Sequence, residues 1–111
     1  MISPTIAQEV SQLHADLCSA LADPTRLLLL YTLFVRPYNV TELTQELNLS
    51  QPMISRHLKI LRERGLVTAT RQGMVVQYEL ADQRIISALD LLRAVMRDRL
   101  QHRANLLENN D

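Results

Sequence analysis

The sequence is poor in glycine, aromatic residues and cysteine, and each scarcity excludes a class of protein. Two glycines in 111 residues leave no glycine-rich loop of the kind that cradles phosphates in nucleotide-binding enzymes. One phenylalanine, three tyrosines and no tryptophan are too few for the stacking platforms that bind single-stranded nucleic acid. The one cysteine, Cys18, excludes an internal disulfide framework and an all-cysteine metal site within one chain.

The chain also lacks net charge and a long apolar run. Its 12 Lys and Arg balance 12 Asp and Glu, and its apolar fraction of 47% is that of a folded globular domain, not of a disordered chain. No stretch approaches the roughly 20 consecutive apolar residues of a membrane span, and no cleavable leader pattern opens the chain. We therefore expect a single cytoplasmic domain over residues 1–111 with no membrane partner.

Apolar periodicity and capping residues predict five helices. They run over about residues 5–21, 24–35, 40–47, 51–64 and 82–107. Each of the last four helices begins at a residue typical of helix N-termini: Asp23, Asn39, Ser50 and Asp82. Residues 108–111 are expected to fray.

The apolar period changes between the fourth and fifth helices. Two strand-like runs, 66–70 and 75–80, flank a plausible turn at 71–74 and predict a hairpin. The short third and fourth helices, joined by three residues, form a helix-turn-helix over about 40–64, and the hairpin that follows it is a wing over about 66–80. The predicted fold is therefore mainly α, a winged helix-turn-helix of five helices plus a two-stranded β-hairpin. The predicted core is Leu17, Leu27, Leu30, Leu33, Leu43, Leu47, Ile54, Leu58, Leu61, Leu66 and Val76.

Although the net charge of the chain is zero, one segment is basic. Between Arg56 and Arg71, five Arg and Lys residues face one acidic residue, Glu63, which gives a local charge of +4. Helical geometry gives the fourth helix an apolar back and a polar, cationic front suited to the DNA major groove, although solvated surface charges are the alternative interpretation. The predicted DNA contacts are Ser50, Gln51, Met53, Ser55, Arg56, Lys59 and Arg62 in this helix, and Arg71 and Gln72 in the wing.

Three segments resemble the ArsR/SmtB family of bacterial transcriptional repressors. They are Leu-Ala-Asp-Pro-Thr-Arg-Leu at 21–27, Val-Thr-Glu-Leu at 40–43, and the run from Leu49 to Val67 that contains Ser-Gln-Pro, Ile-Ser-Arg-His-Leu and Gly-Leu-Val. The resemblance covers about residues 17–80. It implies a homodimer formed through the first and last helices, whose apolar surface exceeds the need of one small domain. It also implies that the fourth helix reads an inverted-repeat operator in double-stranded DNA, that repression occludes RNA polymerase, and that an inducer releases the DNA.

The metal sites common in such proteins are missing from this sequence. The resemblance places a thiolate site at Asn39, Thr41 and Thr44, none of which carries a thiol. It places a second site on the last helix, where Asp82 and Asp98 remain, but Arg84 and Val95 replace the two histidines. We therefore predict no cofactor and no family metal site.

Weaker sensing candidates remain. His14 and Cys18 are four residues apart on the first helix, as are Asp98 and His102 on the last, so a composite metal site across a dimer is one alternative. The simpler interpretation is that His14 is hydrogen-bonded to a neighbour, and that Asp98 and His102 form an ordinary side-chain pair four residues apart on one helix. Cys18 is interpreted first as a small buried apolar residue and alternatively as a redox switch.

Two other classes of function compete with the DNA-binding repressor. A winged-helix protein-interaction module would not need a cationic front on the fourth helix. An enzyme would need a paired base and nucleophile, a metal constellation or a phosphate loop, and the sequence has none of these. We therefore predict no enzymatic activity.

Overall fold

The computed structural model describes residues 1–109. Of the residues predicted to fray, Glu108 and Asn109 are helical, and Asn110 and Asp111 lie outside the described residues. The chain folds into α-helices and one hairpin in the predicted order. The helices are α1 (Pro4–Leu13), α2 (Pro24–Val35), α3 (Val40–Leu47), α4 (Gln51–Glu63) and α5 (Arg84–Asn109). The strands are β1 (Val67–Gln72) and β2 (Val75–Leu80).

Local side-chain caps fix where the helices begin. The Asp23 carboxylate accepts a hydrogen bond from the Arg26 backbone N–H at 3.1 Å at the start of α2. Asn39 and Glu42 form a reciprocal capping box at the start of α3, with bonds of 2.8 and 2.9 Å. Ser50 Oγ accepts from the Met53 N–H at 3.3 Å at the start of α4. These bonds satisfy backbone donors that a helix leaves unpaired at its first turn.

The first predicted helix is helical over its length but changes type along it. The α-helix ends at Leu13, a π-helical turn follows at His14–Cys18, and a 3₁₀ turn runs over Ala20–Ala22. The Ser19 N–H bonds the His14 carbonyl at 3.1 Å, the spacing of a π-turn. The prediction of a helix over 5–21 therefore located the helical segment but missed the change of helix type, because apolar spacing does not report the hydrogen-bond pattern. We refer to Pro4–Ala22 as the N-terminal arm.

The hairpin is longer than predicted, and its turn is tighter. Its antiparallel register pairs Val67 with Leu80 and Gln72 with Val75, so Arg71 and Gln72 belong to β1 and not to the turn. The two-residue turn consists of Gly73, at φ +66°, and Met74. A positive φ at the first turn position alone is the type II′ pattern, which matches the twist of the strands. Leu66, the predicted start of the wing, precedes β1.

The core lies where α2, α3, α4 and the hairpin meet. Seven of the predicted core residues are buried: Leu30, Leu33, Leu43, Ile54, Leu58, Leu61 and Leu66. Four predicted core residues are only half-buried: Leu17, Leu27, Leu47 and Val76. The prediction also missed Ala20, Leu29, Tyr38, Val67, Ile86 and Leu89, which are buried by contacts between distant parts of the chain.

The terminal helices leave apolar side chains uncovered. No residue of α1 is buried, and Ile6, Val10 and Leu13 are exposed. On α5, which extends over Arg84–Asn109 and not 82–107, the exposed apolar residues are Leu91, Leu92, Val95, Met96, Leu100, Leu106 and Leu107. The Cα radius of gyration is 17.7 Å, against about 13 Å for a compact domain of 100 residues. Among residues 1–109, no helix is both long enough and apolar enough to cross a membrane.

Candidate nucleic-acid interface

The turn between α3 and α4 determines how α4 is presented. Asn48 ends α3 in the left-handed conformation, at φ 54°, which asparagine tolerates better than most residues. Ser50 then caps α4 after only Leu49. Because Leu43 of α3 is fully buried and Ile54 of α4 is as well, the two helices share one core. This packing holds one side of α4 against the protein and leaves the opposite side in solvent.

The two sides of α4 have opposite chemistry. The back carries the buried residues Ile54, His57, Leu58 and Leu61. The other side we call the α4 front, which consists of Gln51, Ser55, Arg56, Lys59 and Arg62, all exposed. These are side chains that donate hydrogen bonds to base edges and phosphates. Two other residues of this region were predicted to contact DNA. Ser50 is exposed, but its hydroxyl already accepts the hydrogen bond that caps α4, and Met53 is half-buried.

The basic residues of the α4 front are not neutralised by their neighbours. Within residues 1–109, no carboxylate oxygen lies within 4.0 Å of a side-chain nitrogen of Arg56, Lys59 or Arg62. The ion pairs in this range are formed by other arginines. Their donors are therefore available to an anion. The exposed N-terminal turn of α4 adds a favourable dipole for a phosphate.

The hairpin carries the remaining predicted contacts near its tip. Arg71 and Gln72, the last two residues of β1, are both exposed, and β1 packs against α4. Arg71 Nε donates to the Gly73 carbonyl at 3.3 Å, which holds the guanidinium beside the turn. The tip itself is Met74, which is 95% exposed. The structure therefore leaves basic side chains exposed both on the α4 front and near the hairpin tip.

Helical spacing predicts that His57 lies at the edge of the buried face of α4, and Arg26 is predicted to form an internal salt bridge, with a contact to the DNA backbone as the alternative. His57 is buried, and Arg26 bonds main-chain carbonyls of the N-terminal arm without forming an ion pair among the described residues. The one usable signal was the spacing of His57, three residues after the buried Ile54.

Asp82 and Arg84, two of the residues at the positions of the missing family metal site, bond each other at the start of α5. Arg84 Nη2 lies 2.7 Å from Asp82 Oδ2, and the Arg84 backbone N–H also bonds the carboxylate, at 2.9 Å. The Arg84 side chain, with the backbone bond as the second contributor, lowers the pKa of Asp82 to about 2. Asp82 therefore caps the start of α5 as predicted and already has a guanidinium partner.

Replacing Arg84 with alanine is expected to raise the pKa of Asp82 from about 2 toward its ordinary value of 3.8. Since the folded state lowers this pKa, the pair stabilises the fold fully above about pH 4 and loses its effect as the pH falls through about 2. A carboxyl-carbon NMR titration would measure the change. Arg97→Ala, which removes an exposed arginine from the same helix, should leave the Asp82 titration unchanged, and an unchanged titration in Arg84→Ala would contradict the assignment.

The weak sensing candidates are spread over the surface. His14, Cys18, Asp98 and His102 are all exposed, so the interpretation of Cys18 as a buried apolar residue was wrong. Within the part of the chain that the structure describes, no three His, Cys, Asp or Glu side chains converge as metal ligands would. A site composed across two chains stays a prediction.

Comparison with known proteins connects this geometry to one family. A family model described as "Bacterial regulatory protein, arsR family" matches residues 23–69, which include α2, α3 and α4. A protein of Streptomyces lividans named as a probable mercury resistance operon repressor is 35% identical over 107 residues, which cover 88% of this chain and 86% of that protein.

Two further relatives extend the comparison. The transcriptional repressor SmtB of Mycobacterium tuberculosis is 38% identical over 78 residues, and the match covers 70% of this chain but only 58% of that repressor's length. A homodimeric winged helix-turn-helix DNA-binding domain from Mycobacterium bovis, described as a possible ArsR-family transcriptional regulator, has a similar fold, with a TM-score of 0.76 and 27% identity. That match covers 91% of this chain and 93% of the domain. The predicted winged helix-turn-helix is confirmed.

Proposed function

Because this chain belongs to the bacterial arsR family of regulatory proteins, which are DNA-binding regulators and not enzymes, we propose that it is a homodimeric transcriptional repressor. It binds an inverted-repeat operator with α4 in the major groove and the hairpin tip against the adjacent DNA. Bound there, it occludes RNA polymerase, and an inducer still to be identified releases it. The repressor assignment is supported by the names of relatives such as the Streptomyces lividans protein.

The α4 front carries this proposal. An exposed helix face with unpaired arginine and lysine, opposite a buried apolar back, has the width, charge and donors that a B-DNA major groove accepts. A protein-interaction module does not require the cationic front. The exposed Arg71 at the hairpin tip extends the basic surface beyond α4.

The proposed dimer joins α1 and α5 across a two-fold axis. Both helices expose apolar residues that their own chain leaves uncovered, and burying them is favourable by about 25 cal/mol per Å². The Mycobacterium bovis domain is homodimeric, which supports the same assembly here. To bind two half-sites in successive major grooves, such a dimer must hold its two α4 helices about 34–36 Å apart.

The inducer remains open within this proposal. No thiolate is available at or beside α3, where the family positions are Asn39, Thr41 and Thr44. At the start of α5, the Asp82 carboxylate already forms an ion pair with Arg84. These observations support a regulator whose input is neither a thiophilic ion at α3 nor zinc at the common α5 site.

The first experiment measures binding of the reduced, metal-free protein to labelled DNA from upstream of its own gene. We expect selective binding relative to an unrelated duplex of equal length, with affinity falling steeply across a salt series because bound phosphates release counterions. Salt-steep binding without selectivity would contradict the operator assignment. No binding even at low salt would contradict the DNA-binding repressor and favour the interaction module.

A further inference from the structure

His57 is an unusual residue to find on the back of α4. It is 7% exposed, and it is the one polar side chain in the buried core of residues 1–109. It lies next in sequence to Arg56 and two residues before Lys59, both on the α4 front. A buried polar ring requires a hydrogen-bond partner, and the partner it has therefore bears on how α4 is held.

That partner is the guanidinium of Arg26, which also bonds the N-terminal arm. Arg26 Nη1 lies 3.4 Å from His57 Nδ1, Nε donates to the Ala20 carbonyl at 2.7 Å, and Nη2 donates to the Ser19 carbonyl at 3.5 Å. Because the guanidinium has only donors, the Arg26 Nη1 contact is a hydrogen bond in the tautomer in which His57 Nδ1 accepts. Asp23, which caps α2 through the Arg26 N–H, is the carboxylate that faces this pair.

The planar guanidinium fixes these three bonds in one geometry. Ser19 and Ala20 lie at the base of the arm, where the π-turn ends, while His57 belongs to α4. Arg26 is therefore a rigid connection between the segment that leads to the proposed dimer interface and the helix proposed to read DNA. A lysine supplies one point charge and cannot hold the same three directions.

We propose that Arg26 is a positioning residue, which sets the orientation of α4 relative to the N-terminal arm through His57; this inference rests on the proposed function. Contacts to base edges require donor–acceptor distances of about 2.7–3.2 Å, so a small rotation of α4 breaks them. Contacts to phosphates through long Lys and Arg side chains tolerate such a rotation and carry no sequence information. Loss of the Arg26 connection therefore reduces sequence discrimination more than it reduces general affinity for DNA.

The test compares Arg26→Lys with wild-type protein on the selected operator and on an unrelated duplex, across salt concentrations. We expect operator affinity to fall about 10-fold or more, with little change in affinity for the unrelated duplex or in the salt slope. Arg84→Lys is the matched control, since it alters an arginine whose side chain bonds Asp82, two positions away in the chain, and it should leave both affinities unchanged.

His57→Phe provides an independent second variant. Its ring keeps the packing of the buried site but accepts no hydrogen bond, so it removes the connection without opening a cavity. We expect the same loss of discrimination as in Arg26→Lys, and no further loss in the double variant, because residues that act through one bond are not additive.

Several outcomes would overturn the positioning role. One is that either variant still discriminates the operator from the unrelated duplex as well as wild type does. Another is that affinity falls equally for both duplexes while the melting temperature of the protein falls, because this combination indicates a structural role alone. A salt slope flatter by about 0.9 per protomer in Arg26→Gln, which removes the charge that Arg26→Lys keeps, would mean that Arg26 itself contacts a phosphate. Wild-type protein that fails to discriminate operator from unrelated DNA would contradict the proposed function itself, whereas preserved discrimination in the variants contradicts only the positioning role.

Discussion

Simultaneous replacement of Arg56 and Lys59 with alanine is expected to weaken operator binding at least about 100-fold, since a single good base or phosphate contact contributes about 1–3 kcal/mol. Both residues are exposed on the α4 front, and no carboxylate of the described chain pairs with them, so their donors are free for DNA. In a homodimer each substitution removes two contacts. Each lost phosphate contact should also flatten the dependence of log affinity on log salt by about 0.9.

A fluorescence-anisotropy salt series with each single variant and the double variant separates the two kinds of contact. A residue that binds phosphate changes the salt slope, whereas one that reads a base changes operator discrimination at constant slope. Arg97→Ala removes an exposed arginine from α5 and serves as the matched control. Unchanged DNA binding by the double variant would show that this helix face is not the DNA-binding surface. It would then favour the alternative function, a winged-helix protein-interaction module.

Replacing Val10 with glutamate is expected to convert the dimer into a monomer and thereby to abolish operator binding. Val10 lies on the exposed apolar stripe of α1 with Ile6 and Leu13, which the proposed dimer buries. The two-fold axis places two buried carboxylates in one interface, and an unpaired buried charge costs several kcal/mol. A single α4 then binds one half-site, without the second major-groove contact that the dimer spacing provides.

The matched control for this prediction is Val35→Glu. Val35 is 74% exposed and Val10 is 55% exposed, but Val35 is the last residue of α2 and belongs to neither terminal helix. Sedimentation of wild type, Val10→Glu and Val35→Glu should give a dimer, a monomer of 12.7 kDa and a dimer, in that order. A dimeric Val10→Glu protein would place the interface elsewhere, and a monomeric wild type would remove it altogether.

Helix boundaries were predictable wherever a local bond defines them. The predicted starts of α2, α3 and α4 are correct because Asp23, Asn39 and Ser50 each bond a backbone N–H three residues later. The order of elements and the polar front of α4 were predictable for a similar reason, since helical spacing alone decides which side chains share a face. The predicted hairpin turn, 71–74, was two residues too long, because the positive φ that Gly73 adopts allows a two-residue turn that the sequence alone does not specify.

The sequence by itself determined the winged helix-turn-helix, its family and the cationic face of α4, because all three depend on residues close together in the chain. Only the tertiary structure decided which residues are buried and what they bond. Ile86 and Tyr38 enter the core, Leu17 and Val76 stay half-buried, and Cys18 is exposed, since each depends on elements far away in sequence. The Arg26–His57 connection spans 31 positions, and Arg26 of α2 bonds a ring nitrogen of α4 and two carbonyls of the N-terminal arm. No local pattern encodes such a contact, because packing creates it only after the helices have assembled.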